Sequence, residues 1–118
     1  MSTLPMIRNI AVERARELQE HCPEAQVTHE LLEDRAIISV RLHDRILETD
    51  FIESRRSISH PRRSNEYYDV LAQGIKLGIL VPRRDVEGEK VKMKRVKGPD
   101  RLVVIGYDEE FGYRPAII

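Results

Sequence analysis

Apolar residues near the start of the chain recur every three or four positions, with charged residues between them. This is the period of one face of an α-helix, so the pattern predicts an amphipathic first helix. Its apolar positions are Met6, Ile7, Ile10, Ala11, Ala15, Leu18 and Cys22. Pro5 suits the first turn, because its missing N–H would have no helical partner there, and Ser2 or Thr3 is placed to cap the helix. Pro23 disfavours helical backbone at the preceding residue and so ends the helix.

From residue 25 to residue 52 the hydrophobic period changes to two, which is typical of strands with one buried face. We interpret this region as a three-strand antiparallel meander whose third strand runs over residues 46–52. The charged triplets at 33–35 and 43–45 are its predicted turns. A second interpretation stays open, in which residues 24–34 form a helix, because short apolar segments are ambiguous in a single sequence.

The segment at residues 54–63 is polar, rich in arginine and without a hydrophobic period, which predicts a loop. After it, Ser64 is placed to cap a second helix whose apolar positions have helical spacing. These positions are Tyr67, Tyr68, Leu71, Ile75, Leu77 and Ile79. Gly74 and Gly78 fall inside this predicted helix, and Pro82 ends it.

The last part of the chain predicts strands. Lysines alternate with apolar residues over residues 90–97, which indicates a strand with one basic face. Residues 98–100, Gly-Pro-Asp, are a turn signal, and residues 102–107 form an apolar run that predicts a strand buried on both sides. Residues 113–118 fit a short last strand.

The predicted order of elements is α-β-β-β-α-β-β, with an optional last strand. This order indicates an α+β fold in which a mostly antiparallel sheet packs against two helices, both on its one apolar face. A chain of 118 residues has the size of one self-sufficient unit, so we expect a single domain over residues 1–118.

Composition and charge indicate the cellular compartment of the protein and the kinds of partner it could bind. Cys22, the only cysteine, cannot form an internal disulfide, which favours a reducing compartment, and we expect a cytoplasmic protein. No apolar stretch approaches the roughly 20 residues that cross a bilayer, so no membrane partner is expected. The net charge of zero hides an asymmetry, because residues 1–53 carry 6 basic and 11 acidic side chains, whereas residues 54–97 carry 12 and 5. Such asymmetry is typical of an anion-binding surface or of complementary faces that meet within or between subunits.

The arginine-rich segment at residues 54–63 is the strongest candidate for a functional site. It directly precedes a predicted helix, whose first N–H groups and dipole favour an anion, and guanidinium groups bind phosphate in a bidentate manner. The basic face of residues 90–97 would extend this surface, and Tyr67 or Tyr68 would stack on a base if exposed. We expect a non-enzymatic module without a cofactor that binds an anion, with a nucleic-acid backbone as the preferred ligand. The candidate binding residues are Arg55, Arg56, His60, Arg62, Arg63, Lys90, Lys92, Lys94 and Lys97.

A structural interpretation of the same residues stays open, in which the arginines pair with the acidic first part of the chain and the tyrosines anchor the core. Two other function classes also stay open. A homodimeric protein-interaction or assembly factor would pair acidic and basic parts between subunits, through a sheet edge or the last strand. A divalent-metal nuclease would use Glu48, Asp50 and Glu53, because carboxylates at this spacing can bind magnesium. The four histidines never fall at metal-binding spacings, so no zinc site is predicted.

The predicted order is similar to that of three known classes. In the double-stranded-RNA-binding domain, basic residues at the start of the second helix touch phosphates, and Arg62 and Arg63 fall near that position. Bacterial secretion chaperones, which act as protein-binding dimers, have a similar order. So do metal-dependent nucleases of the restriction-endonuclease-like class, which place a lysine two residues after an acidic residue, where this chain has Asp50 after Glu48. A similar order does not by itself establish a function.

Overall fold

The computed structural model of the chain describes residues 4–94 and 99–113. Its helices are α1 (Leu4–His21), α2 (Arg55–Ile58), α3 (Arg63–Ala72) and α4 (Val86–Lys92). Its strands are β1 (Gln26–Leu31), β2 (Arg35–Leu42), β3 (Arg45–Glu53), β4 (Lys76–Pro82) and β5 (Leu102–Tyr107). Short 3-10 turns at Arg83–Asp85 and Pro99–Arg101 precede α4 and β5.

The five strands form one mixed sheet in the order β1-β2-β3-β4-β5. Strands β1, β2 and β3 are antiparallel neighbours, whereas β3, β4 and β5 run parallel to one another. The predicted α+β class, the first helix, the three-strand meander and the existence of a strand over residues 102–107 are confirmed. The prediction that this last strand is buried on both sides is wrong, because it lies at the edge of the sheet and most of its residues are only partly buried. The alternative helix over residues 24–34 is wrong, because β1 occupies most of that segment and pairs with β2 along its whole length.

The predicted second helix is wrong in its second half. The helix α3 ends at Ala72, and Lys76–Pro82 is the strand β4. Gly74 lies just beyond the helix with a φ of 77°, the left-handed conformation that commonly ends helices. Beyond Gly74, successive apolar positions are separated by no more than one residue, which is closer than the helical spacing of three or four. All of residues 77–82 are buried. This pattern belongs to a central strand of a parallel sheet, which is covered on both faces.

The predicted basic strand over residues 90–97 is also wrong, because residues 86–92 form the helix α4. Glu89 and Met93 are buried one turn apart, while Lys90, Lys92 and Lys94 are exposed. The lysine alternation therefore follows the outer side of a helix and its end. Lys97 and the other residues between 95 and 98 lie outside the described residues.

The predicted loop at residues 54–63 contains one turn of helix, α2, before α3 begins. Ser54 caps this turn, since its Oγ accepts a hydrogen bond from the N–H of Ser57 at 2.9 Å. The hydroxyl of Ser57 in return accepts from the N–H of Ser54 at 2.8 Å, which completes a capping box. The hydrogen bonds between Ser54 and Ser57 therefore stabilise a helical turn in a segment that has no hydrophobic period.

The helices cover both faces of the sheet, so the prediction that both lie on one face is wrong. Parallel strands need crossover connections, and the connections carrying α3 and α4 pack on the face that holds Phe51, Leu77 and Ile79. The helix α1 packs on the opposite face, against Ile38 and Ile52. The sheet consequently lies between two layers of helix, with a separate apolar core on each side.

Past β5, Asp108 and Gly112 form an isolated antiparallel bridge, and the side chain of Tyr113 is buried. The predicted last strand over residues 113–118 falls almost entirely outside the described residues. Within the described part of the chain, no helix is both long and apolar enough to cross a membrane.

Candidate functional site

Two adjacent arginines are turned outward by the geometry of α2. The capping box fixes the start of this helix, and Ser57 and Ile58 point inward and are buried. Arg55 and Arg56, at the two preceding positions, are exposed. Because the helix has only one turn, the direction of these two side chains follows directly from the cap.

Arg62 is the third exposed arginine of the segment. It stands at the N-cap position of α3, where its side chain makes no capping hydrogen bond, and its backbone N–H donates to Nδ1 of His60 at 3.2 Å. Among the described residues, the side chains of Arg56 and Arg62 have no hydrogen-bond or ion-pair partner. Their guanidinium groups are consequently available to a ligand.

The turn after β4 adds arginines to the same end of the sheet. The Nε of Arg55 lies 4.0 Å from Oδ1 of Asp85, so α2 stands beside the turn that contains Arg83 and Arg84. Both of these residues are exposed, and Arg84 pairs with Glu109 at 3.0 Å. We call this set the arginine surface. Its members are Arg55, Arg56, Arg62, Arg83 and Arg84.

Sequence reasoning missed Arg83 and Arg84, although a signal was present. Two consecutive arginines directly after the apolar run that ends at Pro82 mark the end of a buried strand. That signal could be used only once residues 76–82 were recognised as a strand, because ligands of open α/β sheets bind beyond the carboxyl ends of parallel strands.

Arg63 differs from the other arginines of the segment, because it is part of the core. Its side chain is only 14% exposed, and its Nε donates to the carbonyl oxygen of Ser57 at 3.0 Å. Its guanidinium group also donates to Glu66 at 3.1 Å and lies 3.6 Å from Glu53. The structural interpretation therefore applies to Arg63, which fixes the start of α3 to the end of β3.

Glu53 is the centre of this buried cluster, with no solvent exposure. Arg35 binds it through two hydrogen bonds, from Nε to Oε1 at 3.0 Å and from Nη2 to Oε2 at 2.7 Å. The hydroxyl groups of Ser57 and Tyr67 also donate to it, at 2.6 and 2.5 Å. Burial first, and the charge of Glu53 second, raise the pKa of Tyr67 well above its usual range. The carboxylate thus joins β2, β3, α2 and α3 at the base of the arginine surface.

Glu66, at the edge of this cluster, has a lowered pKa. Burial alone would raise it, but hydrogen bonds and charge from Arg35, followed by those from Arg63, outweigh that effect. Glu66 is therefore held as a carboxylate by the two arginines that the core uses.

A second buried ionic cluster lies on the opposite face of β3, under α1. Asp50 is fully buried and accepts a hydrogen bond from Nε of Arg14 at 2.6 Å. The same guanidinium group binds Glu48 at 3.3 Å and Glu17. Gly78, opposite Asp50 on β4, makes room for this side chain, since a Cβ at Gly78 would clash with Oδ1 of Asp50.

Glu48 has a pKa raised to about 8, chiefly by burial and then by its hydrogen bond to Asp50 and the charge of that residue. Oδ1 of Asp50 has no partner among the hydrogen bonds of the described residues, although it is buried. Glu48 therefore keeps its proton to a higher pH than an ordinary carboxyl group does.

The three carboxylates of the nuclease hypothesis are not brought together. Glu48 and Asp50 share one face of β3 and are engaged by Arg14, while Glu53 points to the other face and is engaged by Arg35. A lysine does stand beside Glu48, because the register pairs it with Lys76 on β4, and the Nζ lies 3.9 Å from Oε1 of Glu48. No group of three or more histidine, cysteine or acidic residues is placed to hold a metal ion within the described residues.

The lysines of the predicted surface lie apart from the arginines along α4. The helix starts next to the arginine surface and rises about 1.5 Å per residue, so Lys92 lies about 9 Å further along. Lys90 and Lys92 lie 3.9 and 3.7 Å from acidic residues of their own helix, Glu87 and Glu89. The structure thus divides the predicted site into an arginine part beyond β3 and β4 and a lysine part near the start of β5.

The two tyrosines of α3 have different surroundings. Tyr67 has no exposure and packs on Phe51, with the ring centroids 5.1 Å apart, so it is an anchor of the core. Tyr68 is 40% exposed. Only Tyr68 of this pair offers a ring to a ligand.

A scan against protein-family models gave no match, and neither did searches of curated proteins and solved structures.

Proposed function

We propose that the chain is a binding module for an anionic ligand, preferably a nucleic-acid backbone, and that Arg55, Arg56 and Arg62 make the phosphate contacts. The observation that carries this proposal is that the four arginines of residues 54–63 lie in different environments. Three of its four arginines are exposed, and two of these have no partner among the described residues, whereas the fourth is built into the core.

The position of the arginine surface supports this function. It lies beyond the carboxyl ends of β3 and β4, where open sheets with parallel strands bind ligands. Guanidinium groups match the geometry of phosphate oxygens, and Arg83 and Arg84 add positive charge at the same end. The buried cluster around Glu53 holds α2 and α3 in place, so the exposed arginines are presented from ordered elements.

The geometry favours binding over catalysis. Every carboxylate that the nuclease hypothesis needs is buried and already bound to an arginine of the chain itself. A divalent cation would have to displace Arg14 from Asp50, which would leave a buried guanidinium group without its main partner. Electrostatic recognition by exposed arginines needs no such rearrangement.

Salt-dependent binding of labelled nucleic acid tests the proposal. A duplex and a single strand are titrated with the protein at two salt concentrations, and the wild type is compared with Arg55→Ala/Arg56→Ala/Arg62→Ala. The matched control is Arg8→Ala/Arg41→Ala/Arg45→Ala, which removes the same charge from exposed positions outside the arginine surface. We expect the first variant to bind weakly and to lose about 0.9 of the logarithmic salt slope per lost duplex contact, while the control binds like the wild type.

Two results would contradict the proposal. One is an absence of binding by the wild-type protein to either nucleic acid at low salt. The other is an equal loss in both variants, which would show that only the total charge of the protein matters. A preference of the wild type for one of the two probes would identify the form of nucleic acid.

A further inference from the structure

The turn that follows β5 places acidic side chains beside two members of the arginine surface. The strands β4 and β5 run parallel and in register to their last residues, so the segments after them leave the sheet side by side. Arg83 and Arg84 follow β4, whereas Asp108 and Glu109 follow β5. These four residues line a shallow groove of about 460 Å³ beyond the carboxyl ends of the two strands.

The turn at residues 108–112 is held in a defined shape. Asp108 and Gly112 exchange two backbone hydrogen bonds, of 3.1 and 2.7 Å. In addition, Oδ1 of Asp108 accepts hydrogen bonds from the N–H groups of Glu110 and Phe111, at 2.8 and 2.9 Å. Glu109 is consequently presented to the groove from an ordered turn.

Glu109 binds Arg84 through the donors that a phosphate would use. Nη2 of Arg84 lies 3.0 Å from Oε1 and 3.1 Å from Oε2 of Glu109, so one donor group serves both carboxylate oxygens. Guanidinium groups bind carboxylate and phosphate with similar geometry, because both anions present paired oxygen atoms. The two side chains are 55% and 44% exposed, so a ligand can reach them.

The pair of Arg84 with Glu109 differs from the buried ion pairs of the chain. Arg14 and Arg35 bind carboxylates that have no solvent exposure, and breaking such a pair leaves a buried charge without a partner. An exposed pair contributes little to stability, and both of its members are hydrated when they separate. A ligand can therefore displace Glu109 from Arg84 without disturbing the fold.

We propose that Arg84 is a further phosphate-binding residue of the arginine surface and that Glu109 occupies it in the free chain. A phosphate of the bound nucleic acid takes the place of the Glu109 carboxylate, which turns toward solvent. This inference rests on the proposed function, because it assigns a regulated contact to the same surface. Glu109 thereby weakens binding by the free energy of the ion pair that the ligand has to break.

Removal of the competing charge tests this exchange. Glu109→Gln keeps the size of the side chain and removes its charge. The matched control is Glu110→Gln, which makes the same change at the next residue, also exposed and without an ion pair among the described residues. With the labelled duplex at low salt, we expect Glu109→Gln to bind about two- to fivefold more tightly than Glu110→Gln, the factor that corresponds to the free energy of an exposed ion pair.

The same two substitutions are then compared in a chain that lacks Arg84. Arg84→Ala alone should lower the logarithmic salt slope by about 0.9, because one contact to the duplex is lost. When Arg84→Ala is combined with Glu109→Gln or with Glu110→Gln, the two glutamine substitutions should have equal effects, because Glu109 no longer has an arginine to occupy.

The outcomes separate this inference from the proposed function. Equal affinities of Glu109→Gln and Glu110→Gln in the chain that keeps Arg84, or a salt slope that Arg84→Ala leaves unchanged, would overturn the inference without affecting the contacts assigned to Arg55 and Arg56. If the wild type and every variant fail to bind nucleic acid, the proposed function is wrong and this inference is wrong with it.

Discussion

Arg62 and Arg63 are neighbours in the chain but belong to different environments. Arg62 stands exposed at the N-cap of α3, whereas Arg63 donates hydrogen bonds to Ser57 and Glu66 and approaches Glu53. A residue that is bound by the core contributes to stability, and an exposed residue without a partner contributes little. Substitutions at these two positions should therefore separate an effect on stability, expected at Arg63, from an effect on ligand binding, expected at Arg62.

Replacing Arg63 with alanine should lower the free energy of unfolding by about 1–3 kcal/mol, because Glu66 and the Ser57 carbonyl lose a donor. Arg62→Ala should change it by no more than about 0.5 kcal/mol. Urea unfolding followed by circular dichroism measures both values. Equal losses in the two variants would show that Arg63 is not part of the buried cluster.

Gly78 has a defined steric role, since Asp50 lies against its Cα from the neighbouring strand. Gly78→Ala would push a Cβ into the carboxylate and disturb its pair with Arg14, so we expect a loss of at least about 2 kcal/mol. Gly88→Ala is the control, because its Cβ meets nothing within 4 Å and alanine favours the helix by up to about 1 kcal/mol. Thermal unfolding of both variants should show a clear decrease for the first and none for the second. A neutral Gly78→Ala would contradict the close contact.

At the scale of elements, β3 carries a buried ionic cluster on each face. Glu48 and Asp50 face α1, while Glu53 faces α3, because side chains alternate along a strand. Each cluster fastens a helix layer to the same strand. The strand β3 thereby couples the positions of α1 and α3.

The raised pKa of Glu48 makes the stability of this arrangement depend on pH. Its pKa rises from the ordinary 4.5 to about 8 in the folded chain, so over this window the folded state holds a proton that the unfolded state has lost. The free energy of unfolding should consequently fall as the pH rises from about 5 to 8. Urea unfolding across this range should show a steeper fall for the wild type than for Glu48→Gln, which keeps a donor toward Asp50 but cannot titrate. Parallel curves for the two proteins would show that Glu48 is already ionised in the folded state.

Elements with a pure hydrophobic period could be predicted from the sequence. The helix α1 and the meander β1 to β3 each show one period, and the strand β5 is a continuous apolar run that follows a turn signal. The boundary between α3 and β4 was missed, because Leu71 and Ile75 are four apart and Leu77 and Ile79 continue an apolar pattern across Gly74. The left-handed backbone at Gly74 ends the helix, and a glycine alone does not reveal its φ.

The candidate site could also be predicted only in part, because its composition depends on tertiary contacts. The sequence identifies a cluster of four arginines, but it gives no sign that Arg63 alone turns inward. That choice depends on Glu53 and on the partner that Glu53 receives from Arg35, which is 18 residues away in the chain. Likewise, Arg83 and Arg84 join the surface through the parallel pairing of β3 with β4, a tertiary contact that no local pattern encodes.

At the scale of the whole molecule, the charge asymmetry of the sequence is used in two ways. Part of it is neutralised inside the fold, where Arg63 meets Glu53 and Glu66. The rest remains on the surface, as arginines beyond β3 and β4 and as lysines near the start of β5. The first group, which is the arginine surface, supports the proposed anion site.

The most direct test of the central claim is a map of the arginine side chains during binding. The Nε–Hε resonances of the wild-type protein are followed by NMR while a short oligonucleotide is added at low salt. We predict that Arg55, Arg56 and Arg62 shift in a saturable manner, whereas Arg14, Arg35 and Arg63 keep their positions. Shifts confined to arginines outside the arginine surface, such as Arg41 and Arg45, or no shifts at all, would contradict the account.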